Sequence, residues 1–156
     1  MNAEELSDAL GLLGGELVIE ALSLIEAGML TPEKQDGNLA TYTKMIRKQD
    51  GRISLRERGA AEIERMIRAY YPWPGVSVAY EGSHMKLCKV SVSDYNSFNI
   101  SDYVPGDVLK TGTEGIYVLT ANGVLVIEEL QLPGKNKVDA AAFLRGHKIS
   151  KDSFNN

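Results

Sequence analysis

Apolar residues recur at three- and four-residue steps through the first 24 residues of the chain, with glutamate and aspartate between them. The repeating positions are Leu6, Leu10, Leu13, Leu17, Ala21 and Leu24. This spacing predicts an amphipathic α-helix that ends near Gly28. Its apolar face is too broad for about thirty residues to bury alone, so we expect the helix to pack against other protein.

A different pattern follows the first helix. Residues 29–40 mix Pro, Gly, Asp and Asn without periodicity, which predicts an extended linker. A short helix is expected over residues 40–47, followed by a turn at Asp50-Gly51. The next helix is expected over residues 60–70, and its inner face should consist of Ile63, Met66, Ile67 and Tyr70.

Two prolines mark the end of that helix. Pro72 and Pro74 lack a backbone donor and disfavour helix in the preceding residue, so the helix must stop near Tyr71. They bracket Trp73, the only tryptophan. We expect Trp73 to be a buried anchor at the entrance of a second domain; a platform for stacking nucleic-acid bases is the alternative.

Beyond Gly75 the periodicity changes toward two, which is typical of strands. Strands are predicted at residues 76–80, 85–92, 106–110, 115–120 and 124–131, with a polar loop at 94–103. Asn122-Gly123 between apolar runs is a strong hairpin signal. A closing helix is expected over 138–144, followed by a frayed tail.

Five short strands in about 55 residues favour a small barrel of the OB type. The predicted fold class is therefore α+β, mainly β: an OB-like Greek-key barrel with flanking helices, preceded by an N-terminal helix and an extended linker. The predicted divisions are a terminal helix at 1–28, a linker at 29–59, a barrel domain at 60–150 and a tail at 151–156.

The net charge of −4 is unevenly distributed. Residues 1–40 carry eight acidic side chains and one basic, whereas residues 41–68 carry eight basic and four acidic. The charge of residues 41–68 is therefore compatible with a nucleic-acid partner. The candidate phosphate contacts are Arg47, Lys48, Arg52, Arg65, Arg68, Lys86, Lys89, Lys135, Lys137 and Arg145; an ordinary solvated surface is the alternative.

Catalytic chemistry finds little support in the composition. His84 and His147 are the two histidines, and no nucleophile or orienting carboxylate is identifiable beside either. The single cysteine, Cys88, is expected to be a packing residue; it fits a reducing cytoplasm and, without a companion cysteine, makes a zinc site improbable. The apolar runs are far below membrane-spanning length, so no membrane segment or signal peptide is predicted.

A series of short motifs runs in order along nearly the whole chain. Three of them are Pro-Trp-Pro-Gly at 72–75, Leu-Gln-Leu-Pro-Gly-Lys-Asn-Lys at 130–137 and Phe-Leu-Arg-Gly-His at 143–147. The others lie at residues 35–42, 48–53, 62–68, 85–90 and 105–106. Together, in this register, they resemble methionyl-tRNA formyltransferases. Ser54-Leu55, where the family usually has Asp-Trp, and the extra charged run 56–58 depart from the family pattern.

The resemblance implies a function and a missing part. Enzymes of this family transfer a formyl group from 10-formyltetrahydrofolate to methionyl initiator tRNA. Their catalytic Asn, His and Asp, near a Ser-Leu-Leu-Pro loop, have no counterpart in this sequence. We therefore expect a tRNA-binding C-terminal portion that begins close to the end of an absent N-terminal catalytic domain and is inactive alone. The alternative is a structural capping domain of a related formyltransferase that acts on another amine.

Overall fold

The computed structural model describes residues 1–94 and 98–154. That part of the chain contains three α-helices, six β-strands and two short 3₁₀ turns. The helices are α1 (Ala3–Glu26), α2 (Ala60–Ala69) and α3 (Ala140–Gly146). The strands are β1 (Val76–Tyr80), β2 (Ser83–Ser93), β3 (Val108–Gly112), β4 (Gly115–Leu119), β5 (Val124–Gln131) and β6 (Val138–Asp139).

The first helix forms as predicted but stands apart from the core. Asn2 caps it, because its Oδ1 accepts a bond of 2.9 Å from the Glu5 backbone N–H and its own N–H donates to the Glu5 carboxylate at 3.0 Å. No residue of α1 is buried. Among the described residues, no helix combines the length and hydropathy needed to cross a membrane.

The strands form one antiparallel sheet in the order β1-β2-β5-β4-β3, with β6 paired to β5. β3, β4 and β5 follow one another as hairpins, and β2 lies beside β5 across a long connection. That arrangement is a Greek key, so the predicted mainly-β, barrel-like fold is confirmed. β6 adds a strand to the five predicted, because Val138 pairs with Leu130. The next residue, Asp139, caps α3: its carboxylate accepts from the Ala142 N–H at 2.6 Å.

The centre of the sheet is buried on both faces, which explains its continuous apolar runs. In β4, Ile116 and Val118 enter a core under α2 and α3, whereas Tyr117 and Leu119 enter a second cluster on the opposite face. β5 divides its side chains in the same way. Three side chains of the predicted polar loop at 94–103 cover the second cluster: Phe98, Ile100 and Tyr103. Residues 95–97 of that loop lie outside the described residues.

The helix α2 confirms the predicted inner face. Ile63 is fully buried, and Met66, Ile67 and Tyr70 pack against the core around it. Two residues of the segment assigned to the linker also lie in this core, Ile53 and Leu55. The Ile53 N–H donates to Ser77 O at 2.9 Å and the Ala121 N–H to Leu55 O at 3.0 Å, so the chain joins the barrel before α2 begins.

The helix predicted over residues 40–47 is wrong. Two 3₁₀ turns, Gly37–Leu39 and Lys48–Gly51, flank that segment, which is itself irregular and exposed. An aspartate caps each turn. The Asp36 carboxylate accepts from the Asn38 N–H, and the Asp50 carboxylate accepts from the Arg47 N–H. An isolated eight-residue helix with no surface to pack on is too short to be stable in water.

The prediction that Trp73 is a buried anchor is also wrong, because its side chain is 58% exposed. The Gly75 N–H donates to Tyr70 O at 2.9 Å and closes a loop over residues 71–74. Both peptide bonds that precede Pro72 and Pro74 are cis. The Tyr71 and Trp73 rings are 47% and 58% exposed, so the loop points outward with both rings toward solvent.

The outward loop is held between a turn and a strand by close approaches at two glycines. A side chain on Gly51 would collide with the carbonyl oxygen of Gly75 and would approach the Pro74 ring to 3.3 Å. Gly75 has φ +74°, and a side chain there would lie 2.6 Å from Cε of Lys86. The Lys48–Gly51 turn thus packs on one side of residues 71–75, which we call the aromatic loop, and Lys86 of β2 packs on the other side.

The frayed tail that the sequence predicted at 151–156 is wrong for residues 151–154; residues 155 and 156 lie outside the described residues. Phe154 is only 5% exposed and its ring lies 5.6 Å from that of Tyr80. Lys151 O accepts from the Val108 N–H at 2.7 Å, and its ammonium is 3.4 Å from the buried Asp107 carboxylate. One aromatic residue in an otherwise polar segment fixes the chain to the core.

We expect Phe154→Ala to lower the free energy of unfolding by about 3 kcal/mol, because it leaves a cavity beside Tyr80. Tyr42→Ala is the control: Tyr42 is 94% exposed, so its loss should change that free energy by less than about 0.5 kcal/mol. Urea titration followed by circular dichroism measures both. Equal stabilities of the two variants would contradict the packing of the tail.

We expect Gly51→Ala to lower the free energy of unfolding by about 2 kcal/mol, because the new methyl group meets the rigid backbone of Gly75. Gly37→Ala is a matched control in the other 3₁₀ turn, where a side chain would meet nothing within 4 Å. The same urea titration compares them. If both substitutions were harmless, the turn would not be packed on the aromatic loop.

Candidate nucleic-acid interface

The ten predicted phosphate contacts do not form one patch. Nine of them are exposed and one, Lys86, is half-buried. The structure places them in four regions: a turn before α2, the outer side of α2, the outer face of β2 and β5, and the approach to and end of α3. Whether they contact RNA stays a prediction.

Three of the ten are engaged by carboxylates of the chain itself. Arg68 binds Glu64 through two nitrogens at 2.7 and 3.1 Å. Lys89 lies 2.8 Å from Glu128, and Lys137 lies 2.7 Å from Glu129. Hydrogen bonding to Arg68 lowers the pKa of Glu64, and hydrogen bonding to Lys89 lowers that of Glu128, so both carboxylates are ionised at neutral pH. A phosphate must compete with them for these three cations.

Lys86 occupies the middle of a groove on the outer face of β1, β2 and β5. We use "Lys86 groove" for two neighbouring depressions, of about 220 and 300 Å³, that share Lys86 and Gln131. The first also contains Tyr71, Pro72, Cys88 and Lys137, and the second His84, Pro133 and Gly134. Cross-strand pairing of Ser77 with Lys86 and of Lys86 with Gln131 fixes the floor. The groove combines a cation, an amide and an aromatic wall.

Arg65 and Arg68 lie on the exposed side of α2, as predicted. A depression of about 450 Å³ separates them from the first residues of α1, and an Arg68 Nη donates to Met1 O at 3.3 Å. The start of α1 therefore shares a surface with the basic side of α2. Nothing in the spacing of either helix indicates this contact.

The remaining cations lie at the second 3₁₀ turn and around α3. Arg47, Lys48 and Arg52 surround the 3₁₀ turn that packs on the aromatic loop through Gly51. Lys135 precedes β6 and lies with the end of α3 around a separate, largely apolar depression of about 200 Å³. Arg145 is exposed in the last turn of α3.

Sequence reasoning kept an exposed Trp73 only as the alternative and missed the exposed ring of Tyr71. Tyr71 is 47% exposed on the wall of the Lys86 groove, and Trp73 follows it in the same outward loop. Flat rings next to cations are the arrangement that single-stranded nucleic acid uses for stacking. The two prolines are the signal in the sequence, because they force the chain away from regular structure at this point.

The cysteine and the two histidines are the candidate reactive groups, and all three lie within the described residues. Burial raises the pKa of the Cys88 thiol, so the reactive thiolate is scarce at neutral pH. His84 is exposed, and the His147 ring stacks on Phe143 with centroids 4.2 Å apart. Within the described ranges, no cluster of three His, Cys, Asp or Glu side chains could hold a metal ion.

Several bacterial enzymes are similar to nearly all of this chain. The methionyl-tRNA formyltransferase of Geobacter metallireducens is 38% identical over 148 residues, which make up 95% of this chain and 45% of that protein. The methionyl-tRNA formyltransferase of Lachnospira eligens is 35% identical over 92% of the chain and 46% of its own length. The chain thus spans about half the length of the curated relatives that it matches, and the resemblance seen in the sequence is confirmed.

Solved structures agree on the fold. A variant of HypX from Aquifex aeolicus superimposes with a TM-score of 0.59 over 85% of this chain and 24% of its own, at 22% identity. HypX in complex with tetrahydrofolic acid gives the same TM-score over 83% of this chain and 22% of its own. Residues 45–148 match the family described as formyl transferase, C-terminal domain, and the chain belongs to that family.

Proposed function

We propose that this chain supplies RNA binding to an enzyme that formylates methionyl initiator tRNA. In that enzyme the formyl group of 10-formyltetrahydrofolate is transferred to the α-amino group of methionine. The observation that supports this most is the continuous similarity to methionyl-tRNA formyltransferases over 95% of the chain. The site of action would be the cytoplasm, where translation begins.

The contribution of this chain would be to hold the acceptor. The Lys86 groove places a cation beside the exposed Tyr71 ring, and the 3₁₀ turn with its cations packs on the same loop through Gly51. This combination suits a flexible polyanion with unpaired bases. The charges of these cations would act on the RNA backbone and fix its position without reading its sequence. The methionine and the reacting amine would then lie beyond this chain.

We propose that the formyl donor binds outside this chain. A folate needs a deep pocket with convergent polar groups, whereas the depression beside Arg65 and Arg68 lies open at the surface. We therefore assign donor binding and proton transfer to the portion of the relatives that lies outside the matched region.

One observation favours the alternative, in which the chain is chiefly a structural cap on the catalytic part. Nine large apolar side chains of α1 are exposed: Leu6, Leu10, Leu12, Leu13, Leu17, Val18, Ile19, Leu22 and Ile25. An apolar surface of this size calls for a protein partner. Docking by α1 and RNA binding by the barrel are compatible, so each needs its own test.

The first test is the salt dependence of RNA binding. With four phosphates neutralised, affinity for an initiator tRNA transcript should fall about 100-fold between 50 and 200 mM salt. Arg65→Glu with Arg68→Glu should weaken binding further and lower the slope by about 2, with the helix intact because both side chains are exposed. Fluorescence anisotropy measures the affinity, and circular dichroism the helix.

The matched control for that pair is Lys34→Glu with Lys110→Glu, which reverses two charges outside the proposed interface. It should alter the affinity by no more than a fewfold through the net charge. The RNA role is rejected if the unmodified chain does not bind the transcript at 50 mM salt. The assignment to α2 is rejected if the two double variants behave alike.

The second test addresses α1. Leu13→Gln with Leu17→Gln should leave RNA binding and the unfolding transition of this chain unchanged, because both side chains are exposed. Mixed with the separately produced remainder of a methionyl-tRNA formyltransferase, the variant should support formyl transfer at least about tenfold less well than the unmodified chain, since each buried leucine contributes about 1.5–3 kcal/mol. Equal formyl transfer would reject docking through α1.

A further inference from the structure

We propose that the Lys86 groove binds one unpaired nucleotide of RNA, with its phosphate at the Lys86 ammonium and its base on the Tyr71 ring. This proposal deepens the RNA-binding function proposed above and rests on it. It names the position at which the RNA is held most specifically. The argument depends on how Lys86 differs from the other candidate cations.

Lys86 is the one half-buried side chain among the ten. Among the described residues its ammonium has no carboxylate within ion-pair distance, whereas Lys89 and Lys137 on either side have one each. A phosphate that binds the Lys86 ammonium therefore displaces no internal carboxylate, whereas at Lys89 or Lys137 it must compete with one.

The half-buried Lys86 side chain is also restricted by its neighbours. The end of the Lys86 side chain lies over Gly75, where a side chain would come within 2.6 Å of Cε and 3.1 Å of Nζ. Tyr71 and Pro72 line one depression of the groove and Pro133 lines the other, while Gln131 lies beside Lys86 in both. A cation held in this way contacts a ligand with a smaller loss of side-chain freedom than a mobile surface lysine does.

The neighbouring groups suit a nucleotide better than a simple anion. Tyr71 presents a half-exposed ring on the wall, and stacking on such a ring requires a base that is free of its own helix. Gln131 offers an amide that can donate or accept. A base-paired duplex presents phosphates without free base faces, so it satisfies only Lys86.

The test compares Lys86→Gln with Lys110→Gln in binding to an initiator tRNA transcript. Lys110 is exposed on β3, three strands away in the sheet order, and its loss removes the same charge. Lys86→Gln should weaken binding about tenfold at 50 mM salt and lower the salt slope by about 1, whereas Lys110→Gln should weaken it about twofold. Lys86→Arg should retain most of the affinity.

A second pair of variants moves the ammonium without removing it. Gly75→Ala must displace the end of Lys86, whereas Gly82→Ala carries the same backbone strain, at φ +73°, with nothing within 4 Å of the new methyl group. Only Gly75→Ala should weaken RNA binding. Tyr71→Leu should weaken binding of a ten-nucleotide single strand by about fivefold or more and leave duplex binding unchanged.

The outcomes separate the two proposals. If the unmodified chain does not bind the transcript, both fall. If it binds and Lys86→Gln matches Lys110→Gln, or Gly75→Ala matches Gly82→Ala, the Lys86 groove is not the site and RNA binding stands on other residues. If Tyr71→Leu weakens single-strand and duplex binding equally, the base is not stacked on that ring.

Discussion

The rest of the structure depends on the burial of β4 and β5 on both faces. Every side chain of β4 is apolar or glycine, so neither face of the strand can be left in water at low cost. One face is covered by α2, α3 and the chain around residue 53, and the other by the connection that follows β2. Hydrophobic burial thus determines where each flanking segment goes.

This constraint leaves a limited area for binding. The centre of the sheet has no free face, and the polar surface lies at the β1–β2 side, on α2 and around the loops that join them. Seven of the ten candidate cations lie there, and the other three lie at the approach to α3 and at its end, because the interior cannot hold a charge. The same geometry decides how strongly each cation can attract a phosphate. Lys89 is partly neutralised by Glu128 on the next strand, whereas Lys86, which lies over Gly75, has no such carboxylate among the described residues.

Much of this could be predicted from the sequence. The alternation of apolar and polar residues predicted β1 and β5 with their observed bounds. The three- and four-residue spacing of apolar residues predicted α1 and the inner face of α2, because apolar residues repeat with the period of the face that they cover. Predictions failed where one specific contact, rather than a repeating pattern, decides burial. Trp73 is exposed because the bond from the Gly75 N–H to Tyr70 O closes a local loop, and Phe154 is buried because its ring packs against Tyr80, far away in the chain. The ion pairs that neutralise Lys89 and Lys137 depend on strand register, which spacing alone does not show.

The burial of Phe154 also has a consequence for synthesis on the ribosome. Its partner Tyr80 is made 74 residues earlier, and β1 and β2 can form their hairpin long before residue 154 leaves the exit tunnel. Until then one end of the core stays open to water, and β3 lacks the backbone bond from Val108 to Lys151. The nascent barrel would therefore expose apolar surface to chaperones or to other chains up to its last few residues.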